Sequence, residues 1–201
     1  YSNNDFDLAG FAVGIIDKKK IVDGSNISEG DVIIGLSSSG FHSNGYSLLR
    51  NVLFNDLNYK ASDIFYDNVT VADALLTPTK IYSKVVQHIT SKVEVKGMVH
   101  ITGGGFYDNI PRVLPKDIYA EIDISNVELP RVIKRFQEVS DIDKHELYRV
   151  FNMGVGYIFV VNAKDKDAVI KAAEEQGEKA FVIGKTVKGS NDVKIKGIDI
   201  D

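Results

Sequence analysis

The chain has 201 residues, 44% hydrophobic and 26% charged, an ordinary globular composition with room for one sizeable core. A net charge of -4 and a pI near 5.6 supply no basic field for a phosphate backbone, so no nucleic-acid partner is expected. The absence of cysteine excludes disulfides, thiolate nucleophiles and thiolate metal sites. No apolar run approaches the roughly 20 residues of a membrane span, and no signal-like start is visible, so the expected setting is cytoplasmic and free of membrane. The only methionines are Met98 and Met153, so the protein is expected to begin upstream of Tyr1.

In chain order, residues 8–16 are rich in apolar and small residues and read as a strand, followed by a Lys18-Lys19-Lys20 turn and a short segment at 21–22. Residues 31–36 (DVIIGL) are a compact strand entering a polar, glycine-bearing loop at 37–45. Leu48, Leu49, Val52 and Leu53 then recur at helical spacing, with Ser43 or Asn44 as a cap. A second helical region spans 71–89 and breaks near Pro78. A strand at 95–101 runs into Gly103-Gly104-Gly105 and a short helix at 106–114. A strand is predicted at 118–124, a helix at 130–139, another helical turn or two at 143–150, and an apolar strand at 155–161. An amphipathic helix at 164–175 is stopped by Gly177, and strands at 181–187 and 193–198 close the chain. Strands and helices alternate throughout, which gives an α/β or α+β class in layers without fixing the strand order. No repeat, low-complexity tract or linker divides residues 1–201, so one domain is expected.

Three clusters could carry chemistry. Ser37-Ser38-Ser39-Gly40-Phe41-His42-Ser43-Asn44-Gly45 gathers hydroxyls, an amide, an imidazole and glycines between a strand and a helix. Such a loop holds a polar ligand, with His42 able to exchange a proton, or is simply a Ser/Asn-rich cap and turn. His100-Ile101-Thr102-Gly103-Gly104-Gly105-Phe106 offers successive backbone amides to an anion, or is a sharp strand-to-helix turn beside a core histidine. It matches neither the P-loop nor the full dinucleotide pattern. His145-Glu146-Leu147-Tyr148-Arg149 with Asn152-Met153-Gly154-Val155-Gly156 is the weakest, since Glu146 and Arg149 can pair on a helix and the glycines can let a strand pack closely. No cluster of metal-ligand spacing exists, and no metal is assigned to this chain.

Asp7-Leu8-Ala9-Gly10-Phe11, the loop Ser38-Ser39-Gly40-Phe41-His42-Ser43-Asn44-Gly45-Tyr46-Ser47-Leu48, the run HITGGGFYDNIPRVLP at 100–115, and Phe151-Asn152-Met153-Gly154-Val155-Gly156 together resemble the phosphoribosylformylglycinamidine cyclo-ligase (aminoimidazole ribonucleotide synthetase) family. The likeness covers essentially the whole chain, and the run at 100–115 is its most specific part. It implies the carboxy-terminal domain of that enzyme, a three-layer α/β/α domain with a largely antiparallel, mixed sheet. The amino-terminal domain, which builds the homodimer and most of the ATP and magnesium site, lies outside this chain, so the isolated piece is expected to be inactive.

The family closes formylglycinamidine ribonucleotide to 5-aminoimidazole ribonucleotide with release of ADP and phosphate, in purine biosynthesis. On this resemblance Thr102 and the amides of Gly103, Gly104 and Gly105 grip the substrate phosphate or developing charge. Ser39, His42 and Asn44 orient the amide and relay protons, with His42 the catalytic candidate. Gly40, Ser43 and His100 belong to the same binding set, and Glu146, Asn152 and Gly154 match the family pattern at the ligand or its wall. The same resemblance implies exposed apolar surface near the amino-terminal strand. Two alternatives stay open: another ATP-using enzyme of the same superfamily, such as formylglycinamidine ribonucleotide synthetase, selenophosphate synthetase or thiamine phosphate kinase, and a non-catalytic ligand-binding module.

Overall fold

The computed structural model describes residues 8–200. In chain order its strands are β1 (Val32–Ser37), β2 (Ile64–Tyr66), β3 (Val69–Thr70), β4 (Val95–His100), β5 (Ile118–Ile122), β6 (Val155–Val161), β7 (Ala180–Lys188) and β8 (Val193–Ile195). Six of them form one sheet in the order β4-β6-β1-β7-β5-β8, while β2 and β3 make a separate hairpin. Every pair in the large sheet is antiparallel except β5 with β8. The helices are α1 (Tyr46–Arg50), α2 (Val71–Leu75), α3 (Ser83–Lys92), α4 (Gly105–Asn109), α5 (Arg131–Val139), α6 (Lys144–Val150) and α7 (Lys166–Glu174).

The central strand shows why the molecule has three layers. Side chains alternate across a strand, so Ile33 enters one core while Ile34 and Leu36 enter the other, and all three are fully buried. On β6 the same alternation sends Ile158 and Val160 one way and Phe159 and Val161 the other. A strand apolar on both faces needs cover on both. α3 and α7 supply one side through Val85, Ile89, Val169, Ala172 and Ala173. The opposite side takes Leu49, Ala74, Phe106, Phe136 and Leu147 from α1, α2, α4, α5 and α6. Each such buried residue contributes about 1.5–3 kcal/mol of transfer free energy where it is a large apolar side chain. This is the α/β/α sandwich with a mostly antiparallel, mixed sheet that the resemblance implies.

Several elements differ from the sequence expectation. Residues 8–16 form no strand: Phe11 is 94% and Ile15 103% exposed, and Leu8 and Val13 are also exposed. A strand exists only by pairing, and no neighbouring strand among the described residues accepts this one. Asp7, the first residue of the shared motif, lies outside the described residues. The helix begun by α1 widens into a π turn at Asn51–Asp56, with the Leu57 amide donating to the Val52 carbonyl. The β2–β3 hairpin was not foreseen; Asp67 and Asn68 make its two-residue turn with φ of 42° and 66°, the left-handed pair such a turn requires. Elsewhere the expected elements are present with ends moved by a few residues, as at α4, which passes into a tighter turn at Ile110–Val113.

Candidate functional site

Topology brings the three sequence clusters to one place. β4 and β1 flank β6 on its two edges and both run antiparallel to it. Their carboxy-terminal ends therefore lie at the same end of the sheet, where β6 begins. The loop after β1, the glycine turn after β4 and the Phe151–Gly154 stretch that feeds β6 all meet there. His100 pairs in register with Tyr157 of β6, and Leu36 pairs with Tyr157 from the other side.

The loop after β1 is held from beneath. Asn152 is fully buried, and its side-chain oxygen accepts from the Ser38 hydroxyl (2.9 Å) and the Gly154 amide (3.0 Å). Its amide nitrogen donates to the Gly40 carbonyl at 2.8 Å, and the Ser38 amide donates to the Gly154 carbonyl at 2.8 Å. Asn152 and Gly154 thus act as supports of the loop, with the polar atoms of Asn152 committed to protein partners. Ser39, Ser43 and Asn44 are the more exposed members of the loop, whereas Gly40 is buried.

From above, the same loop meets a segment that the sequence reading took only as a helix break. Between α2 and α3, the Pro78 carbonyl accepts from the Ser39 hydroxyl (2.9 Å), and the Thr79 and Ser43 hydroxyls are paired (3.0 Å). The Tyr46 hydroxyl donates to the Leu75 carbonyl. Lys80 Nζ donates to the Ser37 carbonyl (3.3 Å) and hydroxyl (3.2 Å) and forms an ion pair with Glu178. The Tyr82 hydroxyl donates to the same Ser37 carbonyl at 2.8 Å. His42, Ser43, Tyr46 and the residues at 75–79 line a cleft of about 440 Å³. A larger groove of about 1010 Å³ lies elsewhere, between residues 16–22, α3 and β4, and contains none of these loop residues.

At the centre sits His42, 3% exposed and with φ of 58°. Its ring lies 6.1 Å from Tyr82 and 6.2 Å from His100, centroid to centroid. Gly156 on β6 makes this approach possible, since a Cβ there would run into Tyr82 Oη and sit 2.6 Å from His42 Cε1. The Ser39 amide donates to His42 Nε2 at 3.2 Å, while His42 Nδ1 is buried without a partner. A buried polar atom left so costs about 1–3 kcal/mol, which sets it apart from the satisfied groups around it. Burial, then the nearby His100 and Lys80, bring the His42 pKa down to about 4. Burial also lowers that of His100 and raises the phenols of Tyr82 and Tyr157.

The glycine turn is more self-contained. Asn109, buried on α4, donates to the carbonyls of Thr102 (3.4 Å), Gly103 (3.1 Å) and Gly105 (2.7 Å) and accepts from the Thr102 hydroxyl (2.9 Å). Gly105 has φ of 53°, and a Cβ on it would strike the Tyr148 carbonyl on α6. Gly104 has φ of 93°, and Gly103 alone has open space where a Cβ would go. Two of the three glycines therefore have a backbone or packing reason, and Gly103 has none. His100 is exposed at the end of the edge strand β4, so it is no core histidine. Glu146 is exposed in the first turn of α6.

The structure thus adds Lys80, Tyr82, Thr79 and Tyr157 to the candidates. Only the Pro78 break hinted at the first three, and nothing marked Tyr157. Among the described residues no group of three or more His, Asp or Glu side chains could hold a metal ion. The donors at the site are rings, hydroxyls and a lysine, with Glu178 tied to that lysine, a set that does not fit a hard cation such as magnesium. No helix among the described residues is long and apolar enough to cross a membrane.

Residues 28–196 match the family described as AIR synthase related protein, C-terminal domain. The chain is 50% identical over 200 residues to phosphoribosylformylglycinamidine cyclo-ligase of Bacillus cytotoxicus, covering 99% of this chain and 58% of that protein. It is 46% identical over 194 residues to the protein of the same name from Thermoanaerobacter pseudethanolicus, covering 96% and 57%. The chain therefore spans little more than half the length of these relatives. Among solved structures, thiamine-monophosphate kinase from Stenotrophomonas maltophilia superposes with a TM-score of 0.62 at 14% identity, over 92% of this chain and 55% of that one. Thermotoga maritima PurL complexed with AMPPCP gives 0.55 at 13% identity, over 92% and 26%, a likeness of fold. With the sheet order, the converging loops and the sequence match in agreement, the chain belongs to the AIR synthase related protein family, of which it carries the carboxy-terminal domain.

Proposed function

We propose that this chain is the substrate-binding half of an ATP-dependent cyclo-ligase that closes formylglycinamidine ribonucleotide to 5-aminoimidazole ribonucleotide, releasing ADP and phosphate in purine biosynthesis. The observation that carries the reading is the meeting of the loop after β1, the glycine turn after β4 and the start of β6 at one end of the sheet. The similarity to cyclo-ligases over 99% of the chain supports the choice of reaction. ATP, with magnesium, supplies the phosphoryl group that makes the amide oxygen a leaving group. Magnesium and most of the ATP site belong to the remaining part of the enzyme. That part also carries the homodimer contact, and the whole works in the cytoplasm.

The roles left to this chain are binding and orientation. Ring closure forms a carbon–nitrogen bond within one molecule, so holding the amidine nitrogen against the formyl carbon supplies much of the acceleration. His42, with the backbone and hydroxyls of Ser39, Gly40, Ser43 and Asn44, forms the wall that orients the amide. Thr102 and the Gly103–Gly105 amides take the ribose phosphate, and His100 stands between the two loops. Glu146 lies outside the converging loops and serves the rim of the site.

Calorimetric titration of this chain tests the assignment. Formylglycinamidine ribonucleotide is expected to bind while magnesium ATP does not. Magnesium ATP binding without substrate binding would overturn the division of labour.

A further inference from the structure

One atom in the site is unaccounted for. The Ser39 amide donates to His42 Nε2 at 3.2 Å, so that nitrogen presents a lone pair and carries no hydrogen. The single hydrogen of a neutral imidazole must then sit on Nδ1, the atom that is buried without a partner. Nothing nearby is arranged to accept it. The Tyr82 hydroxyl donates to the Ser37 carbonyl and makes no hydrogen bond with Nδ1, Lys80 is a cation held to Ser37 and Glu178, and the Asn152 oxygen is taken by Ser38 and Gly154. The His100 ring is tilted by 54° to that of His42 with centroids 6.2 Å apart, and it gives Nδ1 no hydrogen bond. Meanwhile His42 is one of the residues lining the cleft with Ser43, Tyr46 and residues 75–79, its Nδ1 covered at that wall.

We propose that His42 serves the site as a neutral imidazole locked in its Nδ1–H tautomer, donating a hydrogen bond to an oxygen of the bound ligand, and not as a proton relay. The inference rests on the substrate-binding reading above and narrows it. The ligand group it selects is a carbonyl or phosphoryl oxygen, an acceptor that needs no hydrogen of its own. Burial, and after it the nearby His100 and Lys80, disfavour a second proton on His42. Tyr82 and Lys80 are positioning residues here: both grip Ser37, where β1 becomes the loop that carries His42.

Two measurements on the complete enzyme decide the matter. The ring-nitrogen chemical shifts of isotope-labelled histidine, with the His42 signals assigned by their loss in His42→Asn, report the tautomer without any ligand. They are expected to show Nδ1 protonated, Nε2 unprotonated and no titration between about pH 5 and pH 8. An Nε2–H tautomer, or a titration midpoint of about 6.5, overturns the proposal. Second, the asparagine amide occupies the place of Nδ1–H and tolerates the positive φ of this position, whereas alanine offers no donor and glutamine mimics the other nitrogen. His42→Asn is expected to fall below the parent in substrate affinity and turnover yet to stay at least about threefold above His42→Ala and His42→Gln, each of which is weaker than the parent by about tenfold or more. Asparagine no better than alanine overturns the donor role. If the parent enzyme itself fails to bind formylglycinamidine ribonucleotide, the substrate reading falls, while the tautomer result is unaffected.

Discussion

The loop at 37–45 and the turn at 101–105 look like two copies of one device: an apolar strand, a glycine-bearing connection and a short helix, emerging at one end of the sheet on either side of β6. They are built on different principles. The first is held by partners far away in sequence, from Asn152 below and from Pro78, Thr79, Lys80 and Tyr82 above, and keeps one buried polar atom free. The second is held almost entirely by Asn109, within seven residues of Thr102, and leaves no buried side-chain polar atom unsatisfied. A loop assembled from distant segments couples its shape to theirs; a locally tied turn keeps its shape alone. The pair suits a site in which one wall adapts and the other is a fixed cradle.

The largest test of that contrast removes the central amide of each loop. Asn152→Ala leaves the Ser38 hydroxyl, the Gly40 carbonyl and the Gly154 amide without partners in the core and is expected to cost about 3 kcal/mol by chemical denaturation. It should also shift the His42 ring resonances, since Ser38 and Gly40 carry the loop. Asn109→Ala should cost a comparable amount yet leave those resonances in place, because its bonds stay within one turn. Equal movement of His42 in both variants would remove the distinction. Next in size is Gly105→Ala, whose Cβ strikes the Tyr148 carbonyl at a φ of 53°, for an expected loss of about 2 kcal/mol read from the same denaturation curves.

Smaller still, per pH unit, is a pH effect confined to the first loop. The His42 pKa is depressed in the folded chain to about 4 from an ordinary 6.5, so the unfolded chain takes up its proton first. The stability this represents is complete above about pH 6.5 and is lost as pH falls towards about 4, at up to about 1.4 kcal/mol per pH unit inside that window. Denaturation series for the parent and His42→Asn should diverge across this range and run parallel above it. Parallel curves throughout would mean that His42 is not held neutral by the fold.

What the sequence made legible was local. Apolar alternation over 31–36 and 155–161 and the four-residue spacing of Val85 and Ile89 located the strands and helices that build the core. The two loops were visible as strand–glycine–helix patterns. Partnership was not visible. Residues 8–16 have the composition of a strand, yet among the described residues no strand pairs with them and Phe11 and Ile15 are exposed. Asn152 reads in sequence as one more polar residue near a possible ligand, and only the fold shows its side chain committed to Ser38, Gly40 and Gly154. Lys80 lies 38 positions from His42 in the numbering and was hidden behind a proline that explained itself as a helix break. The Asp67-Asn68 turn was the one local signal present and unread.

The smallest expected effect on the fold bears most directly on whether the second loop is a cradle or a turn. Gly104 and Gly105 adopt positive φ, so their substitution would confuse backbone strain with ligand loss. Gly103 escapes this, because a Cβ there meets nothing within 4 Å. Gly103→Ala should therefore change unfolding free energy by no more than about 0.5 kcal/mol. A substrate phosphate drawn close against the Gly103 and Gly104 amides would meet the new methyl group, and substrate affinity should then fall by about tenfold or more while the His42 resonances stay fixed. Unchanged affinity in Gly103→Ala would reduce the turn to a packing device between β4 and α4. The phosphate would then have to be held by the loop after β1, against which Lys80 is bonded at Ser37.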